Sequence, residues 1–124
     1  MKRILIIDDN KMLANVYRSS LAGAGFAVDV AHDGESGLSA ARQTPPDVVL
    51  LDMMMPGMDG VAVLSALRAD AALNAVPVIV CSNSYTPDRM EKLWQAGATQ
   101  VLVKASSSPR AILEAVRTAL AAKT

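Results

Sequence analysis

The 124-residue sequence predicts an α/β fold, in which a parallel β-sheet is covered by helices on both faces. Short apolar segments alternate along the chain with segments of helical periodicity. Three of the apolar segments are rich in Val, Ile and Leu with no polar alternation, which is typical of parallel strands buried on both sides. The length suits a single domain with one core, and no interdomain linker or internal repeat is evident.

Five apolar segments are the predicted strands. They are residues 3–7, 27–31, 48–51, 78–81 and 101–103. The first, third and fourth are the continuous apolar runs, so we expect them to be parallel strands covered on both faces.

The predicted helices fill the intervals between the strands and follow the last one. The first helix is predicted to place five apolar side chains on one face: Met12, Leu13, Val16, Tyr17 and Leu21. Gly23 and Gly25 predict its end. The second and third helices are marked by shorter apolar sets, which are Leu38 with Ala41, and Val61 with Leu64 and Leu67.

The last two helices begin at the same type of dipeptide. Thr86-Pro87 and Ser108-Pro109 each offer a hydroxyl for the N-cap and a proline for the first helical position. Gly97 predicts the end of the fourth helix. These signals complete the alternating order of five strands and five helices.

Charge and cysteine content exclude several classes of protein. Twelve basic and twelve acidic residues give a formal net charge of zero. The chain therefore lacks the basic excess that is typical of nucleic-acid-binding proteins. The one cysteine, Cys81, allows no intrachain disulfide and is predicted to be a buried thiol. The N-terminus lacks a secretory signal and no apolar run reaches the length of a membrane span. We therefore predict a cytoplasmic protein that binds neither nucleic acid nor membrane.

Chemically informative residues follow the predicted strands at the edge where α/β sheets bind ligands. Asp8 and Asp9 follow the first strand, Asp52 the third, Ser82 the fourth and Lys104 the fifth. Each has a commonplace alternative: a turn or helix cap for the paired acids, a loop hydroxyl for Ser82, a solvated side chain for Lys104. Their coincidence at one sheet edge favours a shared site.

Three converging carboxylates would repel one another unless a cation relieved the repulsion. Mg²⁺ prefers oxygen ligands and uses one or two carboxylates together with a phosphate, so Asp8, Asp9 and Asp52 are a candidate magnesium site. A hydroxyl, an ammonium group and a metal are what phosphoryl transfer requires, and an aspartate can be the nucleophile. Asp52, which stands singly at the end of a buried strand, is the candidate acceptor.

Five motifs together resemble the receiver domain of bacterial two-component response regulators, and the single-domain chemotaxis regulators in particular. They are IDDN at 7–10, LLDMMMPGMDG at 50–60, PVIVCSNS at 77–84, AGA at 96–98 and LVK at 102–104. The resemblance covers essentially the whole chain, residues 1–124, as one receiver domain. It implies a flavodoxin-like, doubly wound parallel sheet of five strands in the order 2-1-3-4-5, with five helices.

The resemblance also implies roles for the residues at the sheet edge. Asp52 would accept a phosphoryl group from a phosphohistidine on a histidine kinase or histidine phosphotransfer protein. Asp8, Asp9 and Asp52 would bind Mg²⁺, with the backbone carbonyl of Met54 as a further ligand.

Ser82 and Lys104 would contact the phosphoryl group, and their movement would alter the face formed by the fourth helix, fifth strand and fifth helix. A downstream protein would bind that face. The chain would be a phosphoacceptor that assists its own phosphorylation, and not a dedicated enzyme.

Three positions depart from the pattern of this family. Ala105 follows Lys104 where the family usually has proline, Val101 replaces a common Tyr or Phe, and Asn83 stands where a small residue is favoured. These departures leave an alternative open, a pseudo-receiver that binds partners without being phosphorylated. A dehalogenase-type phosphatase is disfavoured because Met54 occupies the position of its second acid. A flavodoxin is disfavoured because DDNKM is unsuited to binding a phosphate directly.

Overall fold

A computed structural model of the chain describes residues 1–53, 60–82, 86–103 and 107–123. Within these ranges, strands and helices alternate from the first element to the last. The elements are β1 (Arg3–Ile7), α1 (Lys11–Gly23), β2 (Ala27–Ala31), α2 (Gly34–Gln43), β3 (Val48–Asp52), α3 (Gly60–Ala69), β4 (Val78–Ser82), α4 (Pro87–Ala96), β5 (Gln100–Val103) and α5 (Pro109–Lys123).

The strands form one parallel sheet in the order β2-β1-β3-β4-β5, which confirms the predicted fold class and strand order. Every strand lies within one residue of its predicted bounds at each end. The central strands β1, β3 and β4 are the continuous apolar runs. Their register places Ile7 beside Leu51 and Asp52 beside Cys81, so the carboxyl ends of these strands lie side by side.

The core consists of two apolar layers, one on each face of the sheet. Alternate residues of β1, β3 and β4 point into each layer, as expected for strands covered on both sides. One layer packs Leu5, Val49 and Val80 against side chains of α2, α3 and α4, including Leu38, Leu64 and Leu93. The other packs Ile4, Leu50 and Cys81 against side chains of α1 and α5, including Leu21, Ile112 and Val116.

The predicted start and stop signals of the last helices are confirmed. The Thr86 hydroxyl accepts a hydrogen bond from the Arg89 backbone N–H at 3.2 Å, and the Ser108 hydroxyl accepts one from Ala111 at 3.1 Å. Gly97 ends α4 in the left-handed region, with a φ of 104°. None of the helices in these described ranges has the length and apolarity needed to cross a bilayer.

The predicted apolar face of α1 is wrong at two positions. The residues that α1 buries are Ala14, Tyr17 and Leu21, whereas Met12 is 81% exposed and Val16 is 44% exposed. Small Ala14 continues the stripe of Tyr17 and Leu21 at helical spacing, so the buried face is rotated towards it. The two exposed side chains lie beside this stripe rather than on it.

Arg68, in the last turn of α3, bonds three backbone carbonyls that lie in two segments of the chain. Its guanidinium donates to the Gly97 carbonyl at 2.7 and 3.0 Å, to Val76 at 2.7 Å and to Asn74 at 3.2 Å. Burial lowers the pKa of Arg68 below its ordinary value. The planar fork of donors ties the C-terminal end of α4 to α3.

Candidate functional site

Three carboxylates converge at the carboxyl ends of β1 and β3. One oxygen from each of Asp8, Asp9 and Asp52 lies within 4.8 Å of the other two. Asp8 and Asp52 are buried, each 4% exposed, whereas Asp9 is exposed. The structure therefore brings together the three acids that the sequence predicted would share a site.

The strand register explains this convergence. Asp8 directly follows β1, and its backbone N–H donates to the Ala31 carbonyl at 3.0 Å, which extends the ladder with β2. Asp52 is the last residue of β3, the neighbour of β1 on its other side. Because parallel neighbours end at the same edge, the two buried carboxylates lie close together there.

The donor set and its spacing suit a small hard cation. Mg²⁺ binds oxygen ligands at about 2.0–2.1 Å, so two ligand oxygens on opposite sides of the ion lie roughly 4 Å apart. Oxygens within 4.8 Å of one another need only small side-chain movements to reach that spacing. The like charges also repel one another when no cation is bound, which favours occupation by a divalent ion.

Ser82 ends β4 next to the acids. It is fully buried and pairs with Val103 of β5, while the preceding residue, Cys81, pairs with Asp52. The Met53 backbone N–H donates to the Cys81 carbonyl at 3.1 Å, so the β3–β4 ladder continues past Asp52. Ser82 is thus the next residue along β4 after Cys81, which pairs with Asp52. Cys81 is buried, as predicted.

Local hydrogen bonds fix the turn that follows β1. The Asp8 carboxylate accepts from the Asn10 backbone N–H at 2.9 Å, and the Asn10 side chain accepts from Leu13 at 3.1 Å, which makes Asn10 the N-cap of α1. A ring nitrogen of His32 lies 3.0 Å from the Asp8 carbonyl oxygen. Sequence reasoning missed Asn10, although an asparagine directly before a helical pattern is a usual cap signal.

The helix that follows β2 begins at another aspartate near this edge. The Asp33 carboxylate accepts from the Ser36 backbone N–H at 2.7 Å and also from the Ser36 hydroxyl. These bonds, with the hydroxyl contributing most, lower the pKa of Asp33 below its ordinary value of 3.8. Its role is that of an N-cap, and no metal-binding role is assigned to it.

Several predicted site residues lie outside the described parts of the chain. They are Met54 and Lys104, together with the departures at Asn83 and Ala105. Their predicted roles therefore stay predictions. The remaining departure, Val101, lies in β5 and packs against the core layer of α2, α3 and α4.

Comparison with known proteins shows the family to which the chain belongs. The family described as the response regulator receiver domain matches residues 4–117. The chain belongs to this family.

Curated relatives include transcriptional regulators from mycobacteria. The DNA-binding response regulator MtrA of Mycolicibacterium paratuberculosis is 38% identical over 119 residues, which cover 96% of this chain and 51% of MtrA. The transcriptional regulatory protein PrrA of Mycobacterium leprae is 43% identical over 103 residues, covering 82% of this chain and 43% of PrrA. The chain thus spans about half the length of the curated relatives that it matches.

Solved structures of similar length show the same architecture. The chemotaxis protein CheY4 of Vibrio cholerae superposes with a TM-score of 0.91 at 28% identity, covering 97% of this chain and 99% of CheY4. The receiver domain of the Francisella response regulator 1452 gives a TM-score of 0.88 at 27% identity, with both chains covered completely.

Proposed function

We propose that the chain is one receiver domain, residues 1–124, that is phosphorylated on Asp52 and passes a signal on by protein contact. The observation that carries this proposal is the convergence of Asp8, Asp9 and Asp52 within 4.8 Å at the ligand-binding edge of a receiver-domain fold. The proposal includes the cytoplasmic location, which the sequence alone predicts.

In the proposed reaction, a carboxylate oxygen of Asp52 attacks the phosphorus of a phosphohistidine. A P–O bond forms, the P–N bond breaks, and its electron pair stays on the imidazole nitrogen of the donor. The donor is a histidine kinase or a histidine phosphotransfer protein. Asp52 is suited to this attack because the end of β3 holds its carboxylate at a fixed point of the sheet edge.

Asp8 and Asp9, with Asp52 and the Met54 carbonyl, would hold Mg²⁺. The ion supplies positive charge that offsets the negative charge of the incoming phosphoryl group. Asp8 is preorganised for this role, because its turn is fixed by bonds to Asn10 and Ala31. Ser82 would donate a hydrogen bond to a phosphoryl oxygen, and Lys104 would pair with another. The chain thus assists one self-modification and is not a dedicated enzyme.

The signal would leave through the face formed by α4, β5 and α5. Trp94 on α4 is 49% exposed and Val103 at the end of β5 is 42% exposed. Trp is enriched among the residues that dominate binding energy at protein interfaces, so Trp94 is a candidate partner contact. Packing of Val101 against the core argues that the signal does not pass through a switching side chain at that position.

Intact-mass spectrometry tests the proposal directly. We expect the wild-type chain to gain one phosphoryl group when incubated with acetyl phosphate and Mg²⁺. The Asp52→Asn variant, which keeps the shape of the side chain, should gain none, and chelation of Mg²⁺ should prevent the gain in the wild type.

A second donor tests the partner. A phosphorylated histidine phosphotransfer protein should lose its label to the wild-type chain and not to Asp52→Asn. If neither donor modifies the wild type and Mg²⁺ does not change the Trp94 fluorescence or the NMR spectrum, the phosphoacceptor role fails. The pseudo-receiver alternative, suggested by Asn83, Val101 and Ala105, would then be favoured.

A further inference from the structure

Tyr17 connects α1 to a distant segment of the chain. Its side chain is 3% exposed and belongs to the core layer between the sheet and helices α1 and α5. The hydroxyl of a buried tyrosine requires a hydrogen-bond partner. Here it donates to the backbone carbonyl of Ser107 at 3.2 Å, across 90 residues of sequence.

Tyr17 also lies beside the candidate site. It lines a small cavity of about 10 Å³, the size of one water molecule, together with Asp8, Asp52 and Cys81. Tyr17 therefore shares a cavity with two of the acids and also bonds the segment before α5. Tyr17 connects these two regions, through its hydrogen bond to Ser107 and the cavity that it shares with the acids.

Ser107 fixes the end of the segment that carries Lys104. Its hydroxyl donates to the carbonyl of Val103, the last residue of β5, at 2.6 Å. Ser108, the next residue, caps α5 through its bond from Ala111. A hydrogen bond thus joins residues 103 and 107, which flank residues 104–106. The bond from the Tyr17 hydroxyl to the Ser107 carbonyl links this pair to α1.

This arrangement bears on the departure at Ala105. A proline after the lysine restricts the backbone of that segment, whereas alanine does not. The Ser107 hydroxyl donates to the Val103 carbonyl, and the Tyr17 hydroxyl donates to the Ser107 carbonyl. These two bonds restrain residues 103 and 107, which flank that segment.

We infer that Tyr17 is a positioning residue for Lys104. Tyr17 acts by holding Ser107, and through it Val103, at a fixed place relative to Asp52. The inference rests on the proposed function, because Lys104 matters only if Asp52 is phosphorylated. Tyr17 itself is not assigned any contact with the phosphoryl group.

The Tyr17→Phe variant removes the hydroxyl and keeps the ring. A single hydrogen bond of this kind corresponds to about a two- to tenfold change in an equilibrium or rate. We expect phosphorylation by acetyl phosphate at saturating Mg²⁺ to slow by that factor, with Mg²⁺ affinity unchanged because no metal ligand is altered. Ser107→Ala, which removes the hydroxyl bonded to Val103, should slow the reaction in the same way.

A double-mutant cycle separates positioning from general damage to the core. If Tyr17 acts through Lys104, then Tyr17→Phe should have no further effect on the rate in a Lys104→Ala background. Ile79→Val is the matched control, since Ile79 is a buried residue of the same core layer and the change removes one methylene. It should lower stability, leave the rate near that of the wild type, and leave the amide NMR signals of residues 104–107 in place.

Tyr17→Phe should shift those amide signals. The inference is overturned if Tyr17→Phe phosphorylates at the wild-type rate, if its effect adds fully to that of Lys104→Ala, or if the signals of residues 104–107 do not move. Absence of phosphorylation in the wild type overturns the proposed function and this inference together, whereas the other outcomes overturn the inference alone.

Discussion

Gly60 allows α3 to begin directly against the strand that carries Asp52. It is the first residue of α3, it is buried, and its backbone N–H approaches the Met53 carbonyl at 3.4 Å. A Cβ atom at this position would lie 2.9 Å from the Met53 Cα and 3.3 Å from the Asp52 carbonyl oxygen, and would overlap the Met53 sulfur. Because two of these three atoms belong to the backbone of the candidate site, Gly60→Ala must displace that backbone or the helix.

The magnitude follows from two opposing effects. Overpacking of a tight core site costs about 1–3 kcal/mol, and Met53 cannot easily give way because it is 1% exposed. Replacing glycine by alanine recovers about 0.4–1 kcal/mol through the smaller entropy of the unfolded chain. We therefore expect a net loss of about 1–2 kcal/mol, or about 4–8 °C in the midpoint of thermal unfolding for a chain of this length.

Gly23→Ala is the matched control. Gly23 ends α1, and an added Cβ would meet no atom within 4 Å. Its midpoint should stay the same or rise, and its phosphorylation rate should equal that of the wild type, while Gly60→Ala phosphorylates more slowly. Thermal unfolding followed by circular dichroism measures both variants. Equal midpoints for the two variants would refute the argument that close packing at Gly60 supports the site.

Three further predictions concern other parts of the molecule. Arg68→Met should lower the free energy of unfolding by about 1–3 kcal/mol, because three carbonyls lose their donor. Arg68→Lys should also be less stable than the wild type, since an ammonium lacks the planar fork of donors. Urea unfolding measures both variants. Asp33 has a lowered pKa in the folded state, so its contribution to stability is present above pH 3.8 and is lost as the pH falls further. The difference in midpoint between wild type and Asp33→Ala should therefore narrow in acid, and a constant difference would contradict the assignment. In the presence of a chelator, Asp9→Asn should raise the midpoint of thermal unfolding by relieving repulsion within the acidic cluster. It should also abolish the stabilisation that Mg²⁺ gives the wild type, which is about 1.4 kcal/mol in the free energy of unfolding at ten times the dissociation constant. A variant that Mg²⁺ still stabilises fully would count against this metal site.

The fold was predictable because its signals are local. Continuous apolar runs mark β1, β3 and β4, and the dipeptides at Thr86 and Ser108 mark helix starts that the structure confirms. The face of α1 was not predicted correctly, because side-chain apolarity drew attention to Met12 and Val16, whereas burial depends on the stripe to which small Ala14 belongs. The strand order rested on the resemblance to receiver domains and not on the residues alone.

The acidic part of the site was also predictable, because parallel strands must end together. Asp8 and Asp52 are adjacent for that topological reason, whatever the details of packing. By contrast, the bond from Tyr17 to Ser107 joins residues 90 positions apart, and the fit of Gly60 against Met53 depends on tenths of an ångström. Neither has a sequence signal, since each depends on how finished elements pack. The roles of Met54 and Lys104 remain sequence predictions.

The distribution of burial indicates where a phosphorylation signal can move the structure. The strands that carry Asp52 and Ser82 are bonded on both sides and are buried throughout, so their displacement would break ladders with two neighbours. β5 is an edge strand with no buried residue. All ten residues of α4 are described, and Leu93 is the one among them that is buried. Segments with few buried apolar contacts rearrange at the lowest free-energy cost. Since Arg68 holds the C-terminal end of α4 at Gly97, a change that begins at the site edge should displace the N-terminal end of α4, around Thr86, more than its C-terminal end.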